Sequence, residues 1–389
     1  MEPTAPFKLD ELRRDWIGGV SGEAFYRRVQ DARVSLKETD GPVVINEGEP
    51  VAFAVKFFAA ASISLPIVLV NPKWGAKEQS EFDTLMASDE PEPGSISIPT
   101  GGTTGGVKLA IHDWKSLSSG ARAVQAFHGG GPVDACCVLP LHHVSGLMQL
   151  VRAFVSGGRI RFEASEIEGS CLSLVPTQLQ RMMEDANSIQ KLNRSKVIFV
   201  GGAGMPEVVA ERARELKLPV VPVYGMTETA AMIAAVPNAD FLAASGAGAV
   251  MLGDTQVSIE PCGSIRVRTS SLFKGYLGGE RVDKAEGFRT GDAGWLDAHG
   301  RLHLQGRMDQ LINTGGEKVD PAEVQDALIG IEGIAEARVL GEPDEEWGEI
   351  VVAHVRTGAE GAVLGESDIL VSLKNKLSPF KVPKRIIFY

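Results

Sequence analysis

Residues 95–108 read Ser-Ile-Ser-Ile-Pro-Thr-Gly-Gly-Thr-Thr-Gly-Gly-Val-Lys, a strand-like run followed by a loop of small and hydroxylated residues. The loop from Thr100 to Lys108 offers backbone N–H groups, hydroxyls and one ammonium group, which suit a polyphosphate. Four glycines, three threonines and one lysine in nine residues favour that function over a flexible surface loop. A Walker A loop needs Lys directly after the last Gly, followed by Ser or Thr. Val107 and Leu109 stand at the deciding positions, so the sequence predicts a phosphate loop of another kind.

Other strand-like runs alternate with helix-like stretches along the chain. The runs lie at 66–70, 135–140, 196–200 and 219–223. The stretch 206–217 predicts a helix with Pro206 in its first turn and Lys217 in its last. This alternation predicts an α/β fold whose large N-terminal domain contains layered, largely parallel sheets with helices.

The sequence pattern changes after residue 245, where short strand-like runs separated by glycine turns predict a β-rich subdomain over about 245–308. A further α/β segment follows. Its expected elements are a helix over about 321–329, strands near 335–340 and 350–356, and a helix near 367–376. We place a domain boundary at about 308, between an ATP- and acyl-binding domain (1–308) and a small, mobile α+β C-terminal domain (309–389).

The composition excludes several classes of protein. With 389 residues, 44% of them apolar, the chain can bury a sizeable core, and two or three domains are expected. The formal charge of −11 argues against a nucleic-acid coat or an anionic membrane partner. Residues 51–70 are long enough to span a membrane, but Lys56 and Pro66 interrupt them. A helix followed by a buried strand is the better interpretation.

Cysteine usage and the N-terminal residues bear on the compartment. The four cysteines, at 136, 137, 171 and 262, form no C-x-x-C pair, so we expect no disulfide framework, no zinc site and a reducing environment. The first residues lack the apolar core of a signal peptide. A cytoplasmic protein is therefore expected.

Four further motifs could bear chemistry, although each alone has a plain structural alternative. They are Leu-Pro-Leu-His-His-Val-Ser-Gly at 139–146, Val-Gly-Gly-Ala-Gly at 200–204, Tyr-Gly-Met-Thr-Glu-Thr at 224–229, and a series of turns from 290 to 323 that includes Thr-Gly-Asp, Gly-Arg-Met-Asp and Thr-Gly-Gly-Glu-Lys. Adjacent histidines are usually structural. Small residues after a strand let a flat ring approach or simply make a turn. A carboxylate beside a polyphosphate indicates Mg²⁺, or else a helix start. An Asp in a glycine turn can accept ribose hydroxyls or only close the turn.

Taken in order, these motifs resemble the adenylate-forming acyl-CoA synthetase superfamily. Its pattern is T-[SG]-G-[ST]-T-G-x-P-K, Y-G-x-T-E, T-G-D, G-R-x-D and G-G-E, and the likeness runs from Thr100 to about Glu323. The resemblance implies ATP, Mg²⁺ and CoA as cofactors or co-substrates and a small carboxylic acid as substrate. It implies two steps, acyl-adenylate formation with release of pyrophosphate and then thioester formation with release of AMP. A homodimer is left open.

The resemblance implies a role for each matching residue. Nucleotide binding falls to Thr100, Thr103, Thr104, Lys108, Gly202, Ala203, Gly204, Tyr224, Asp292 and Arg307. Catalytic roles fall to His143 at the acyl pocket, Thr227 at a phosphate and Glu228, which also helps to hold Mg²⁺. Asp309 is the implied hinge, and Gly315, Gly316 and Lys318 serve the CoA step.

Within the superfamily the chain resembles o-succinylbenzoate–CoA ligases of menaquinone biosynthesis, chiefly through Pro-Leu-His-His-Val-Ser-Gly at 140–146. That acid brings a second carboxylate, and a buried carboxylate needs a cation or hydrogen-bond donors. Arg152 and Ser145 are the candidates, together with His143 in the acyl pocket; the alternative for Arg152 is a helix-surface residue paired with an acid. Other functions left open are another aryl- or fatty-acid–CoA ligase, an enzyme loading a carrier protein, and a non-catalytic ATP- or acyl-adenylate-binding protein.

The chain departs from the family pattern in the phosphate loop and near Tyr389, among other places. Val107 replaces the usual Pro of the phosphate loop, and because Pro fixes φ the loop is expected to be looser. The last family motif carries a lysine that contacts the reacting carboxylate, and neither Lys381 nor Lys384 corresponds to it. We expect a chain ending at Tyr389 to bind ATP but to release pyrophosphate roughly a hundred- to a thousand-fold more slowly than one extended through that motif.

Overall fold

The computed structural model describes residues 5–100, 106–243, 246–344, 346–358 and 364–389. The α-helices are α1 (Gly22–Leu36), α2 (Pro50–Ser62), α3 (Ala76–Ser88), α4 (Trp114–Phe127), α5 (Val144–Ser156), α6 (Pro176–Met182), α7 (Ala186–Asn193), α8 (Glu207–Glu215), α9 (Asn238–Ala243), α10 (Pro321–Ile329) and α11 (Glu366–Lys374). Short 3₁₀ helices lie at Leu9–Arg13, Ala164–Glu166, Thr227–Thr229 and Pro379–Lys381.

The strands form four sheets. The first has the order β1 (Val43–Ile45), β2 (Ile67–Leu69), β3 (Ser95–Pro99), β4 (Leu109–Asp113). The second has the order β11 (Val250–Met251), β10 (Ala231–Ala235), β9 (Val220–Met226), β8 (Val197–Val200), β7 (Cys171–Leu174), β5 (Ala135–Cys136), β6 (Ile160–Arg161). The third has β12 (Gln256–Ile259), β13 (Ser264–Arg268), β14 (Phe288–Leu296) and β15 (Leu302–Arg307) in sequence order. The fourth has β17 (Glu317–Val319), β16 (Ile312–Thr314), β19 (Gly348–Thr357) and β18 (Ile334–Asp344), with β20 (Arg385–Phe388) beside β19.

Strand direction follows the predicted α/β pattern. From β9 to β6 the second sheet is parallel, while β10 and β11 join it antiparallel. In the first sheet only the β3–β4 pair is antiparallel. The third sheet is wholly antiparallel and lies within the stretch predicted to be β-rich. The predicted fold class is confirmed.

The apolar stretch 51–70 forms a helix and a strand, α2 and β2, as predicted. The Glu49 carboxylate accepts hydrogen bonds from the N–H groups of Val51 and Ala52 at 2.9 and 2.6 Å, so the first turn is capped. Pro50 is the first helical residue, where its missing N–H leaves no bond unmade. Among the residues described, no helix is both long and apolar enough to cross a membrane.

An aromatic cluster forms the centre of the largest core. Phe7, Trp16, Phe25, Phe58 and Phe154 pack with ring centroids 4.8 to 6.2 Å apart, mostly edge to face. These residues come from α1, α2, α5 and the N-terminal segment. The cluster therefore packs α5 against α1 and α2. The acyl-pocket candidates lie on α5 or directly before it.

Two predicted elements are shorter than expected. The helix predicted over 206–217 begins at Glu207 and ends at Glu215, with Pro206 as the residue before it. Lys217 lies beyond the helix with φ of 51°, not in its last turn. The strand predicted over 135–140 is paired only at Ala135–Cys136. The chain passes from β15 to β16 between Arg307 and Ile312, and the domain boundary at 308 stays a prediction.

Candidate functional site

Strand β9 and the turn after it form the centre of the site. β9 pairs parallel with β8 and antiparallel with β10, and the 3₁₀ turn Thr227–Thr229 connects β9 to β10. Gly225 makes this hairpin possible, since a Cβ there would overlap the carbonyl oxygen of Ala231. The hydroxyl of Thr229 accepts from the N–H of Met226 at 3.0 Å, which fixes the turn.

One group of contacts links this turn to the phosphate loop. The Tyr276 hydroxyl donates to Glu228 Oε1, and Lys108 Nζ lies 5.9 Å from the centroid of the Tyr276 ring. Burial and the Glu228 charge raise the pKa of Tyr276, so its hydroxyl stays protonated and able to donate. The N–H of Phe273 donates to the backbone oxygen of Glu228 at 2.8 Å. Lysine, tyrosine and carboxylate thus lie side by side.

Backbone pairing explains why these side chains meet. The N–H of Ile111 in β4 donates to Gly275 at 2.9 Å, and Lys274 donates back to Ile111 at 2.7 Å. Leu277 donates to Leu109 at 2.9 Å. The strand that leaves the phosphate loop therefore pairs with the segment that contains Tyr276. At the start of the loop, the N–H of Thr100 donates to Lys108 at 3.0 Å.

A buried histidine in β4, which no motif of the sequence predicted, holds the same turn. His112 Nε2 lies 2.8 Å from the Thr227 carbonyl oxygen, and Nδ1 lies 3.0 Å from Ser116 Oγ. Burial lowers the pKa of His112 to about 4, so the ring is neutral near pH 7. Because a carbonyl only accepts, Nε2 carries the proton and donates to Thr227. A lone histidine within an apolar strand was the available signal, as was the tyrosine of Phe-Lys-Gly-Tyr at 273–276.

A second group of contacts extends from β9 to the third sheet. The Tyr224 hydroxyl donates to Asp292 Oδ2 at 2.7 Å, and Arg307 lies 3.6 Å from Asp292 Oδ1. Arg307 also donates to both carboxylate oxygens of Asp309, at 3.1 and 3.3 Å. This bond lowers the pKa of Asp309. Gly291 allows the approach, since a Cβ there would lie 2.7 Å from the Arg307 guanidinium.

The small residues after β8 lie beside this centre. Gly201 packs against Val223 so closely that a Cβ would lie 2.7 Å from its side chain and 2.9 Å from its carbonyl oxygen. Gly202 has φ of 85°, a conformation that favours glycine. Gly202, Ala203 and Gly204 are exposed. The loop therefore presents open backbone next to the C-terminal half of β9.

The candidate cation Arg152 lies inside the molecule. It projects from α5, is 3% exposed, and faces a cavity of about 10 Å³ whose lining includes Ser173 and Phe199. Its Nε and the Oε1 of Gln149 have no hydrogen-bond partner among the described residues. Burial lowers the pKa of Arg152 to about 10, which still leaves it charged near pH 7. The alternative of a surface arginine paired with an acid is wrong.

The other acyl-pocket candidates lie at the start of the same helix. His143 precedes α5, with its ring centroid 4.4 Å from that of His142. Burial lowers the pKa of His143, and burial followed by the His143 charge lowers the pKa of His142 to about 4. Ser145 is half-buried in the first turn, and its carbonyl oxygen accepts from Gln149 at 3.1 Å.

The CoA-side candidates contact other groups. The N–H of Gly315 donates to Trp347 at 2.8 Å, and Lys318 Nζ donates to the carbonyl oxygen of Cys262 at 2.8 Å. Trp347 borders an open cavity of about 490 Å³, and Lys384 Nζ lies 4.5 Å from its ring. Thr103 and Thr104, predicted in the phosphate loop, lie outside the described residues.

The acidic groups suit a magnesium ion that is bound together with substrate phosphates better than a metal ion held by protein ligands alone. Within the described ranges, no three His, Cys, Asp or Glu side chains cluster as a metal site. Mg²⁺ usually keeps waters and binds one or two carboxylates together with substrate phosphates. Glu228 supplies one such carboxylate beside Lys108, so the residues present fit this mode of binding.

Two family models match parts of this chain. The family model described as AMP-binding enzyme matches residues 81–277, and the model of the AMP-binding enzyme C-terminal domain matches residues 323–389. A 2-succinylbenzoate–CoA ligase of Enterococcus faecalis is 33% identical over 74% of this chain and 64% of its own length. An indoleacetate–CoA ligase of Aromatoleum aromaticum is 32% identical over 83% of this chain and 74% of its own.

Solved structures share the fold. The o-succinylbenzoate CoA synthetase of Bacillus subtilis, in complex with its acyl-adenylate intermediate, superposes with a TM-score of 0.80 at 23% identity. The match covers 95% of this chain and 90% of that one. By sequence, the chain spans just under two thirds of the length of the E. faecalis relative.

Proposed function

This chain belongs to the AMP-binding enzyme family, and we propose that it joins a carboxylic acid to CoA at the expense of ATP, with o-succinylbenzoate as the acid and menaquinone biosynthesis as the purpose. In the first step the carboxylate attacks the α-phosphorus of ATP, forming an acyl-adenylate and releasing pyrophosphate. In the second the CoA thiolate attacks the acyl carbon and AMP leaves. We place both steps in the cytoplasm.

Nucleotide binding rests on the two groups of contacts that meet at β9. We propose that Lys108 meets the phosphates, where the resemblance also puts Thr100 and Thr227, and that Asp292 accepts the ribose hydroxyls with Arg307 beside it. Each of the carboxylates of Asp292 and Glu228 accepts a hydrogen bond from a tyrosine hydroxyl, which restricts its orientation and leaves lone pairs for a ligand. The open backbone of Gly202, which resembles the family's adenine border together with Ala203 and Gly204, leaves room for a flat ring.

Magnesium would be held by Glu228 together with the phosphates. When bound it neutralises charge on the phosphate oxygens. The protein's part is to orient Glu228 through Tyr276 and to fix its backbone through Phe273. Preorganised donors and charges of this kind are a large source of rate enhancement.

The buried Arg152 is the single observation that supports the choice of acid. A buried cation with no acid beside it among the described residues is costly, because desolvation is not offset. A carboxylate of the substrate would supply the missing partner once the side chains around the cavity, which at about 10 Å³ has room for about one water molecule, move apart to admit it. Phe199, which lines the Arg152 cavity, belongs to β8, the strand that leads into the Gly202 loop. The anion site and the adenine border would thereby share one strand.

The CoA step is proposed for the fourth sheet. Gly315 and Gly316 have φ of 59° and 87°, backbone angles that favour glycine. The turn therefore presents backbone without side chains. The neighbouring cavity offers an aromatic face at Trp347 and an ammonium group at Lys384, which suit a phosphorylated nucleoside. Lys318 lies on β17 after the turn.

The indoleacetate–CoA ligase relative supports a second candidate, an aryl acid with a single carboxylate. Such a substrate would leave Arg152 without a counter-charge. The two candidates differ in what Arg152 does, so one substitution separates them.

The test is Arg152→Met, assayed by pyrophosphate release. With o-succinylbenzoate the catalytic efficiency should fall roughly a hundredfold or more, as expected when a buried ion pair loses one partner. With 4-oxo-4-phenylbutanoate, which lacks the ring carboxylate, it should change by about threefold or less. Arg152→Lys, which keeps the charge, should recover part of the loss.

Thermal stability provides the control. Removing an unpaired buried charge should leave the melting temperature of Arg152→Met unchanged or raise it. Equal losses of efficiency on both acids, or a destabilised variant, would reject the pocket role of Arg152 and favour the single-carboxylate candidate.

A further inference from the structure

The last described residues of the phosphate loop are attached to helix α3. The N–H of Val107 donates to Glu81 Oε2 at 3.0 Å. Glu81 is half-buried in the first half of α3, and Lys77 Nζ, one turn earlier, lies 4.0 Å from its Oε1. A carboxylate that accepts a backbone N–H makes a charge-assisted hydrogen bond, stronger than one between neutral groups.

The residue before Val107 also lies close to the Glu81 carboxylate. Gly106 has φ of 85°, and a Cβ there would lie 3.2 Å from Glu81 Oε2. Glycine suits this position because of both its backbone angle and the space left to it. Glu81 therefore packs against the backbone of two consecutive loop residues.

The side chain of Val107 is held by the same helix. It packs against a cluster of apolar residues that includes Phe82 of α3 and Leu109 of β4. Helix α3 thus holds the loop end both by apolar packing and by a hydrogen bond. Because Val107 replaces the usual Pro, the sequence predicts a looser loop. Unlike Pro, however, Val107 has a backbone N–H, and this N–H donates a hydrogen bond to Glu81.

We propose that Glu81 is a positioning residue that anchors the Val107 N–H and so holds the adjacent Lys108 in place for a polyphosphate ligand. This inference rests on the proposed function. A carboxylate near a polyphosphate would ordinarily weaken binding by repulsion, and here the bound N–H and Lys77 offset part of its charge. An anchor of this kind works only when residue 107 has an N–H.

A double-mutant cycle isolates the bond. In the wild-type background, Glu81→Ala should raise the dissociation constant for ATP, measured by calorimetry, about tenfold, and Glu81→Gln should recover most of the loss because its amide oxygen still accepts. Val107→Pro removes the N–H and fixes φ, so adding Glu81→Ala to it should change the constant less than about twofold.

Amide hydrogen exchange at Val107 tests the anchor without any ligand. Exchange should be at least about tenfold faster in Glu81→Ala than in the wild type, because the N–H loses its acceptor. Asp83→Ala is the matched control: it removes the same charge from an exposed position of α3 and should change neither measurement.

The outcomes distinguish the anchor at Glu81 from the proposed function. Unchanged exchange at Val107 in Glu81→Ala, or the same loss of ATP affinity in both backgrounds, would overturn the anchor. A wild-type protein that binds no ATP would overturn the proposed function, while the exchange rates would still decide whether Glu81 holds the loop.

Discussion

Lys108 is the residue that we propose meets the phosphates of the nucleotide. It follows the anchored Val107, and its ammonium group lies 5.9 Å from the centroid of the Tyr276 ring. Lys108→Ala should weaken ATP binding roughly ten- to a hundred-fold, since charge-assisted bonds contribute about 1.5–3 kcal/mol each. Calorimetry measures this directly, and unchanged affinity would show that the nucleotide binds elsewhere.

Glu228 should set the response to magnesium. Glu228→Gln keeps the shape of the side chain but removes the charge that a hard cation prefers. We expect weaker binding of ATP in the presence of Mg²⁺, with little change when the metal is chelated by EDTA. Tyr276→Phe, which frees the carboxylate from its donor, should shift the magnesium titration in the same direction but less. A Glu228→Gln variant with a normal titration would remove Glu228 from the metal site.

Site residues within a sequence motif were predictable, whereas residues that only the fold brings to the site were missed. Glu228 and Asp292 were candidates from their motifs. His112 is 115 positions from Thr227 in the chain, and Tyr276 is 48 positions from Glu228. Spacing alone carries no information about such contacts, and the pairing of β4 with residues 274–277 is what joins both side chains to the turn. Burial of Arg152 likewise depends on how α5 packs on the second sheet.

The β9–β10 hairpin holds the turn Thr227–Thr229, around which we propose that the site is built. Gly225→Ala should destabilise the protein by about 1–3 kcal/mol or more, because the new methyl group meets backbone that cannot move without opening the hairpin. Denaturant unfolding measures the change. Gly131→Ala is the control, since nothing lies within 4 Å of its Cβ position. A Gly225→Ala protein as stable as the control would show that the hairpin can relax.

Element types were easier to predict than element ends. The helix and strand in 51–70 follow from apolar pattern and from Pro50 at a helix start. The helix predicted after β8 is longer at both ends than the observed one. At the start, Pro206 fits the position before a helix as well as the first turn. At the end, Lys217 takes a left-handed conformation, which a helix does not allow. Local sequence favours a class of structure, while the last turn is decided by packing.

The stability of the whole molecule should depend on pH through its buried histidines. The folded pKa of His112, about 4, lies below the ordinary value of 6.5. The unfolded chain therefore binds the proton more readily, and stability is full above about pH 6.5 and falls as the pH drops toward 4. The loss from His112 amounts to about 3 kcal/mol.

His112→Gln separates this contribution from those of other groups. Gln can still donate to the Thr227 carbonyl oxygen but does not titrate, so the free energy of unfolding of the variant should fall less between pH 6.5 and 4. Denaturant unfolding at several pH values gives the comparison. Identical pH dependence in both proteins would mean that His112 is not held neutral by the fold.

The architecture as a whole was predictable as a class but not in its arrangement. Alternating strands and helices predicted the parallel part of the second sheet. Nothing in the spacing predicted that β10 would return antiparallel beside β9, or that Asp292 in β14 would meet Tyr224 in β9. Those contacts join segments far apart in the chain, and their geometry comes from sheet packing.

Whether the protein joins o-succinylbenzoate to CoA is tested by incubating the wild-type protein with ATP, Mg²⁺, CoA and one acid at a time, and measuring AMP and acyl-CoA together. We expect equal amounts of AMP and thioester with o-succinylbenzoate, both dependent on CoA. With benzoate or 4-oxo-4-phenylbutanoate we expect at least about tenfold less of both products, because an acid with one carboxylate cannot pair with Arg152 and react at the phosphate at the same time. No thioester with any acid, or equal yields with acids that have one carboxylate and with o-succinylbenzoate, would contradict the proposed function.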